Sequence, residues 1–179
     1  MDATLTATEA HPAMNDEPTL IALSTSFDQF YRHEFPNLVA VATALLGSIE
    51  TAEDLTQDTM VKSLMRWPRV QRLDRPGGWA HRVLLNACTS WWRRQRTVTN
   101  HRARLRRAEP SVPGPSAEAL VFWAAVRGLP ERHRTVMALH YAGDRSVAEI
   151  AAIMGVPEGT IRSDLSRARA VLATELGVQ

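Results

Sequence analysis

The chain has 179 residues, enough for one ordinary domain or two very small ones, and its 45% apolar content allows a buried core. No apolar run reaches the length of a membrane span, and no basic segment followed by an apolar stretch opens the chain as a secretory signal would. The single cysteine, Cys88, excludes an internal disulfide and a cysteine-cluster zinc site, and it suits a reducing, cytoplasmic compartment. The net charge of +2 hides a strong sorting along the chain. Residues 1–65 carry two basic residues against ten acidic ones, residues 66–107 carry twelve arginines against Asp74 alone, and residues 108–179 carry seven arginines against eight acids. A cationic middle segment of this kind implies a polyanion partner.

Residues 1–24 hold no lysine or arginine and are rich in threonine and alanine, which predicts a disordered tail. Phe27, Phe30, Tyr31, Leu38, Val41, Ala42 and Leu45 lie near helical spacing, so residues 27–46 read as a helix, with a kink or break expected at Pro36 and a stop at Gly47. Residues 50–66 form a second helical pattern that opens with acids, as the helix dipole prefers, and is expected to turn Leu55, Val61, Leu64 and Met65 inward. Trp67-Pro68 ends it.

A third helix over residues 76–96 begins at Pro76 and carries an apolar stripe of Trp79, Val83, Leu84, Ala87, Cys88 and Trp91. From residue 97 the pattern breaks into a basic stretch and then Pro110, Pro113, Gly114 and Pro115, a linker and a domain boundary. Residues 117–179 read as a compact helical unit with helices over about 117–127, 131–142, 147–154 and 157–176. The fold class is therefore all-α: two small helical domains joined by a flexible linker. The predicted organisation is a tail over 1–24, a first domain over 25–97, a linker over 98–116 and a second domain over 117–179.

The strongest local motif is residues 146–172. Ser146 and Glu149 form a capping box, Gly155 ends a short helix, and a longer helix follows, which together make a helix-turn-helix. Ile161, Leu165, Ala168 and Leu172 must face the core, leaving Thr160, Arg162, Ser163, Ser166, Arg167 and Arg169 outside. Small hydroxyl residues let such a helix enter the major groove, and arginines reach base edges or phosphates; the competing reading is a solvated face that happens to hold arginine.

The cationic third helix holds Arg82, Asn86, Ser90, Trp92, Arg93 and Arg94. Arginine follows phosphate, aromatics stack on unpaired bases, and Asn86 can hydrogen-bond a base edge. Trp79 and Trp91 fall on the apolar stripe and are expected in the core, which makes Trp92 the better candidate for an exposed aromatic. On the second helix Asp54, Gln57, Asp58 and Lys62 share an outer face. By itself this is a solvated acidic face; no histidine joins it at metal-ligand spacing, so no metal site is expected. No phosphate-binding loop, nucleotide fingerprint or nucleophile elbow occurs, so neither a cofactor nor a catalytic residue is expected, and Cys88 reads as a packed thiol.

These motifs, in this order, resemble the extracytoplasmic-function group of bacterial RNA polymerase sigma factors. The likeness rests on Ala52-Glu53-Asp54-Leu55-Thr56-Gln57-Asp58, on Arg75-Pro76-Gly77-Gly78-Trp79 with Arg82-Val83, Asn86-Ala87 and Trp91-Trp92-Arg93-Arg94, and on Leu129-Pro130-Glu131-Arg132, Ala148-Glu149-Ile150-Ala151, Gly159-Thr160-Ile161-Arg162-Ser163 and Ser166-Arg167-Ala168-Arg169. The segment 89–94 is similar to an actinobacterial, sigma-E-like subgroup. The resemblance implies that Asp54, Gln57 and Asp58 dock on core polymerase. It implies that Arg82, Asn86, Ser90, Trp92, Arg93 and Arg94 melt and read the −10 element, with Asn86 lining a pocket for a flipped base. It implies −35 binding by Glu158, Thr160, Arg162, Ser163, Ser166 and Arg167, and a linker that threads the polymerase cleft. An anti-sigma factor is a further partner that the family admits. The chain departs from the family pattern at Met60, where an aromatic is common, at Ser90, at Asp164, where a basic residue is frequent, and at Glu158, which favours the helix dipole but repels phosphate. The alternative function is a helix-turn-helix transcription regulator that is not a sigma subunit.

Overall fold

The computed structural model describes residues 17–102 and 116–177, with side chains described over 26–95 and 116–177. The regular structure of the described residues is all helical, with no strand among them. In chain order the helices are α1 (Glu17–Leu46), α2 (Ile49–Met65), α3 (Trp67–Val70), α4 (Pro76–Arg102), α5 (Ala117–Gly128), α6 (Glu131–Met137), α7 (Val147–Met154) and α8 (Glu158–Leu176). A π-helical turn, Ala138–Ala142, continues α6.

α1 begins at Glu17, so residues 17–24, expected as part of a disordered tail, are helical. It also runs through Pro36 without the expected break. Pro36 and Arg32 both lie on the exposed side, where water can serve the backbone carbonyl that the proline ring leaves unbonded. α4 continues to Arg102, six residues past the expected end at 96, and residues 103–115 of the expected linker lie outside the described residues.

α2 is capped by Ser48, whose hydroxyl accepts the Thr51 N–H at 3.3 Å. Its buried face is not the expected one. Ala52, Thr56, Thr59, Met60 and Ser63 are buried, Leu55 is half-buried, and Val61, Leu64 and Met65 are 55%, 53% and 79% exposed. The inward stripe is one of small and hydroxylated side chains that lets α2 approach its neighbours closely. Two of its hydroxyls are satisfied within the helix, Thr59 Oγ1 donating to the Leu55 carbonyl and Ser63 Oγ to that of Thr59, both at 2.8 Å, while buried Thr56 Oγ1 has no hydrogen-bond partner among the described residues.

Leu38, Val41, Ala42 and Leu45 of α1 meet Ala80, Leu84 and Cys88 of α4 in a core that continues without interruption into Val126, Leu129, Val136, Leu139, Ile150, Ile161 and Leu165 of the second half. The two halves therefore pack on one another. A satellite cluster of Phe27, Trp67 and Val70 closes the far end of α1, with the Phe27 and Trp67 rings edge to face at 5.3 Å.

Candidate nucleic-acid interface

α7 and α8 form the helix-turn-helix. The capping box is complete: Ser146 Oγ accepts the Glu149 N–H at 3.3 Å, and the Ser146 N–H donates to Glu149 Oε2 at 2.9 Å. Ser146 Oγ also donates to Glu149 Oε2 at 2.7 Å, and this bond, with that from the Ser146 N–H, holds the Glu149 carboxyl below its ordinary value. Gly155 ends α7 in the left-handed region, at φ 67°, where a side chain would be strained.

In α8 Ile161, Leu165, Ala168 and Leu172 are buried, as their spacing predicts. Arg162, Ser166, Arg167 and Glu158 are exposed, and Thr160 and Ser163 are half-buried at the same outer surface. Arg162 Nη2 donates to Glu158 Oε2 at 2.6 Å, one turn earlier. Arg169 is fastened inward, with Nε donating to Tyr141 Oη at 2.8 Å and its guanidinium over the Tyr141 ring. Asp164 is not at the outer surface at all. It is 4% exposed and accepts a 2.6 Å hydrogen bond from Arg132 Nε of α6.

On α4, Arg82, Asn86, Ser90, Arg93 and Arg94 are exposed and recur close to every fourth residue, so they form a ridge along the helix. Trp92 is half-buried rather than exposed, because the Arg134 guanidinium lies 5.3 Å from its ring centroid and the Trp91 ring stands edge to face at 5.4 Å. Trp79 and Trp91 are half-buried against the core, in keeping with the apolar stripe. Asp54, Gln57 and Asp58 of α2 are exposed, as expected. The outward Val61 and Met65 join them at helical spacing, so that face is apolar as well as acidic.

A buried charge centre is formed by residues that stand in no sequence motif. Glu34 of α1, 6% exposed, lies against the first turn of α4, and a methyl group at Gly77 would overlap its carboxylate. Arg145 Nη2 donates to Glu34 Oε2 at 2.7 Å across 111 residues of sequence, and Arg145 Nη1 lies 3.4 Å from Glu149 Oε1. His81, fully buried, has Nδ1 3.0 Å from the Gly77 carbonyl. Burial pushes its pKa down to about 4, against the hydrogen bond to Gly77 and with help from the nearby Arg145 charge. His81 is thus neutral near pH 7, donating from Nδ1. Its Nε2 has no hydrogen-bond partner among the described residues. Cys88 is a packed thiol whose pKa burial raises to about 12.

The family model "Sigma-70 region 2" matches residues 30–98, which span α1 to α4, and "Sigma-70, region 4" matches residues 119–172, which include the helix-turn-helix. The chain is 34% identical to the ECF RNA polymerase sigma factor EcfG of Rhodopseudomonas palustris over 80% of this chain and 81% of that protein. It is 34% identical to the ECF RNA polymerase sigma factor SigM of Mycobacterium tuberculosis over 85% of this chain and 78% of that one. Its fold is similar to that of the sigma factor RpoE from Bartonella quintana, solved in complex with the anti-sigma factor NepR, with a TM-score of 0.72, 29% identity, and coverage of 86% of this chain and 98% of that one. With both sigma regions present in order, and with relatives of this identity matched along most of their length, the chain belongs to the extracytoplasmic-function sigma factors of bacterial RNA polymerase.

Proposed function

We propose that this sigma factor docks on core polymerase through the outer face of α2, reads the −10 element with the ridge of α4 and reads the −35 element with α8. The observation that carries the reading is the division of α8 into a buried stripe and an outer surface bearing Thr160, Arg162, Ser163, Ser166 and Arg167, behind a completed capping box and turn. On α4 the arginines follow phosphate while Asn86 and Trp92 meet unpaired bases. On α2 Asp54, Gln57 and Asp58 supply charge and hydrogen bonds, and Val61 and Met65 supply apolar area.

The protein makes and breaks no covalent bond. It gives polymerase its promoter preference and helps open the duplex, and polymerase performs nucleotidyl transfer in the cytoplasm. No helix among the described residues is long and apolar enough to cross a membrane. An anti-sigma factor is a further proposed partner, on the strength of the NepR complex of its structural relative. The test is run-off transcription from genomic fragments with sigma-free core polymerase. Promoter-specific transcripts that require the protein are expected; DNA binding with no initiation by core would make it an ordinary regulator.

A further inference from the structure

We propose that the groove between α1, α5 and the π-helical turn binds a medium-chain aliphatic carboxylate, with its chain along the apolar walls and its head group on Arg127. None of the residues assigned to promoter DNA or to core polymerase lines this groove, and the inference does not rest on those assignments.

α5 carries more apolar surface than the fold covers. Its sequence from Leu120 to Val126 is apolar without a break, yet Val126 is its only buried side chain. A helix that is apolar all round is ordinarily enclosed. Towards α1, Leu120, Trp123 and Arg127 follow one another at intervals of three and four residues, so they share a face. Phe35, Val39 and Thr43, four apart on α1, form the opposite wall. Between the two rows lies a cavity of about 710 Å³ that Tyr141 and Ala142 also line. That volume falls within the range of about 300–1,000 Å³ in which small molecules bind. The eight-residue step from Phe35 to Thr43 makes the α1 wall about 12 Å long, which suits a medium-length acyl chain.

Two polar groups in this apolar groove lack partners. Arg127 is half-buried, and its guanidinium makes no hydrogen bond or ion pair among the described residues. Burial lowers its pKa, with no neighbouring carboxylate to oppose the shift. Glu53, the one carboxylate that lines the groove, is exposed and does not pair with it. A desolvated charge without a counter-ion is unfavourable, so an anion seated there relieves a cost that the fold already bears. Gly47 makes room for this arginine: it follows α1 at φ 75°, and a Cβ there would lie 3.1 Å from Arg127 Nε. Thr43 Oγ1, one turn earlier on α1, is buried and has no hydrogen-bond partner among the described residues. It offers a carboxylate oxygen a second donor. One guanidinium and one hydroxyl beside a long apolar wall select a single carboxylate on an apolar body. A second anionic group on the ligand would lie against Phe35 and Trp123 without compensation.

Isothermal titration calorimetry of the full chain with decanoate, below its micelle concentration, tests this. One saturable site is expected, with decanol binding at least tenfold more weakly because it brings no charge to Arg127. Arg127→Gln is expected to weaken decanoate at least tenfold and to leave decanol unchanged. Leu120→Asp, at an exposed position of the apolar wall, should abolish binding of both. Decanoate should also raise the thermal unfolding midpoint of wild type and not that of either variant. No saturable binding, or equal decanoate affinity in wild type and Arg127→Gln, overturns the proposal. Should Arg127→Gln misfold, Leu120→Asp decides, and undiminished decanoate affinity in that variant overturns the proposal. A groove that takes only an acidic amphipathic peptide, and loses it in Arg127→Gln, belongs to a protein segment and overturns the proposal as well.

Discussion

Asp164 on α8 and Arg132 on α6 form an ion pair at 2.6 Å in which the carboxylate is 6% exposed and the guanidinium 45%. The pair fixes α8 to α6. The asymmetry of exposure makes the two truncations unequal. Arg132→Ala leaves the buried carboxylate with only His133 Nε2, 3.8 Å away, beside it and is expected to cost about 3 kcal/mol. Asp164→Ala leaves an arginine that water can reach and is expected to cost about 1.5 kcal/mol. Urea unfolding of both variants checks the order.

Glu158 and Arg162 form the opposite kind of pair, exposed and one turn apart. Such pairs contribute little to stability, so Glu158→Ala should leave the unfolding midpoint nearly unchanged. It should tighten −35 duplex binding by releasing Arg162 and removing a charge that repels phosphate. Arg162→Ala should weaken binding by about 1–3 kcal/mol in a way that depends on the −35 sequence. Fluorescence anisotropy on a set of −35 variants separates this from a phosphate contact, which would lose equally on all of them.

The outer face of α2 is predicted to bind core polymerase. Asp54→Ala with Gln57→Ala, and separately Val61→Ser with Met65→Ser, should each reduce affinity for core at near-wild-type stability, because all four side chains are exposed. Unchanged affinity in a pull-down with core would return the face to an ordinary solvated surface.

His81 predicts an acid sensitivity. Its folded pKa of about 4 lies below the ordinary 6.5, so between these values the unfolded chain binds a proton that the folded chain refuses. The stability from neutral His81 is fully present above pH 6.5 and is lost as pH falls from 6.5 towards 4, by about 3 kcal/mol in all. Glu34, Arg145 and Glu149 are the charged groups around it. Urea titrations at pH 7, 5.5 and 4 should show the fall in wild type and a shallower one in His81→Asn.

The recognition helix was legible because its information is local. The capping box spans four residues, and the α8 stripe repeats within four turns. The inward face of α2 was not legible, since a rule that sends large apolar residues inward fails where two helices meet through alanine, threonine and serine. Glu34 and Arg145 were invisible for another reason: neither stands in a motif, and only the packing of α1 beside α7 brings them together. Trp92 was placed correctly on α4 but not in its surroundings, because Arg134 reaches it from the other half of the chain.

The stripe of Ala52, Thr56, Thr59 and Ser63 has a consequence for how this protein can change. Folding draws on one side of α2, and the side bearing Asp54, Gln57, Asp58, Val61 and Met65 is left out of the core. Substitutions on that outer side can retune affinity for a partner while the folding equilibrium stays where it is, so partner choice and thermodynamic stability are separately adjustable along a single helix.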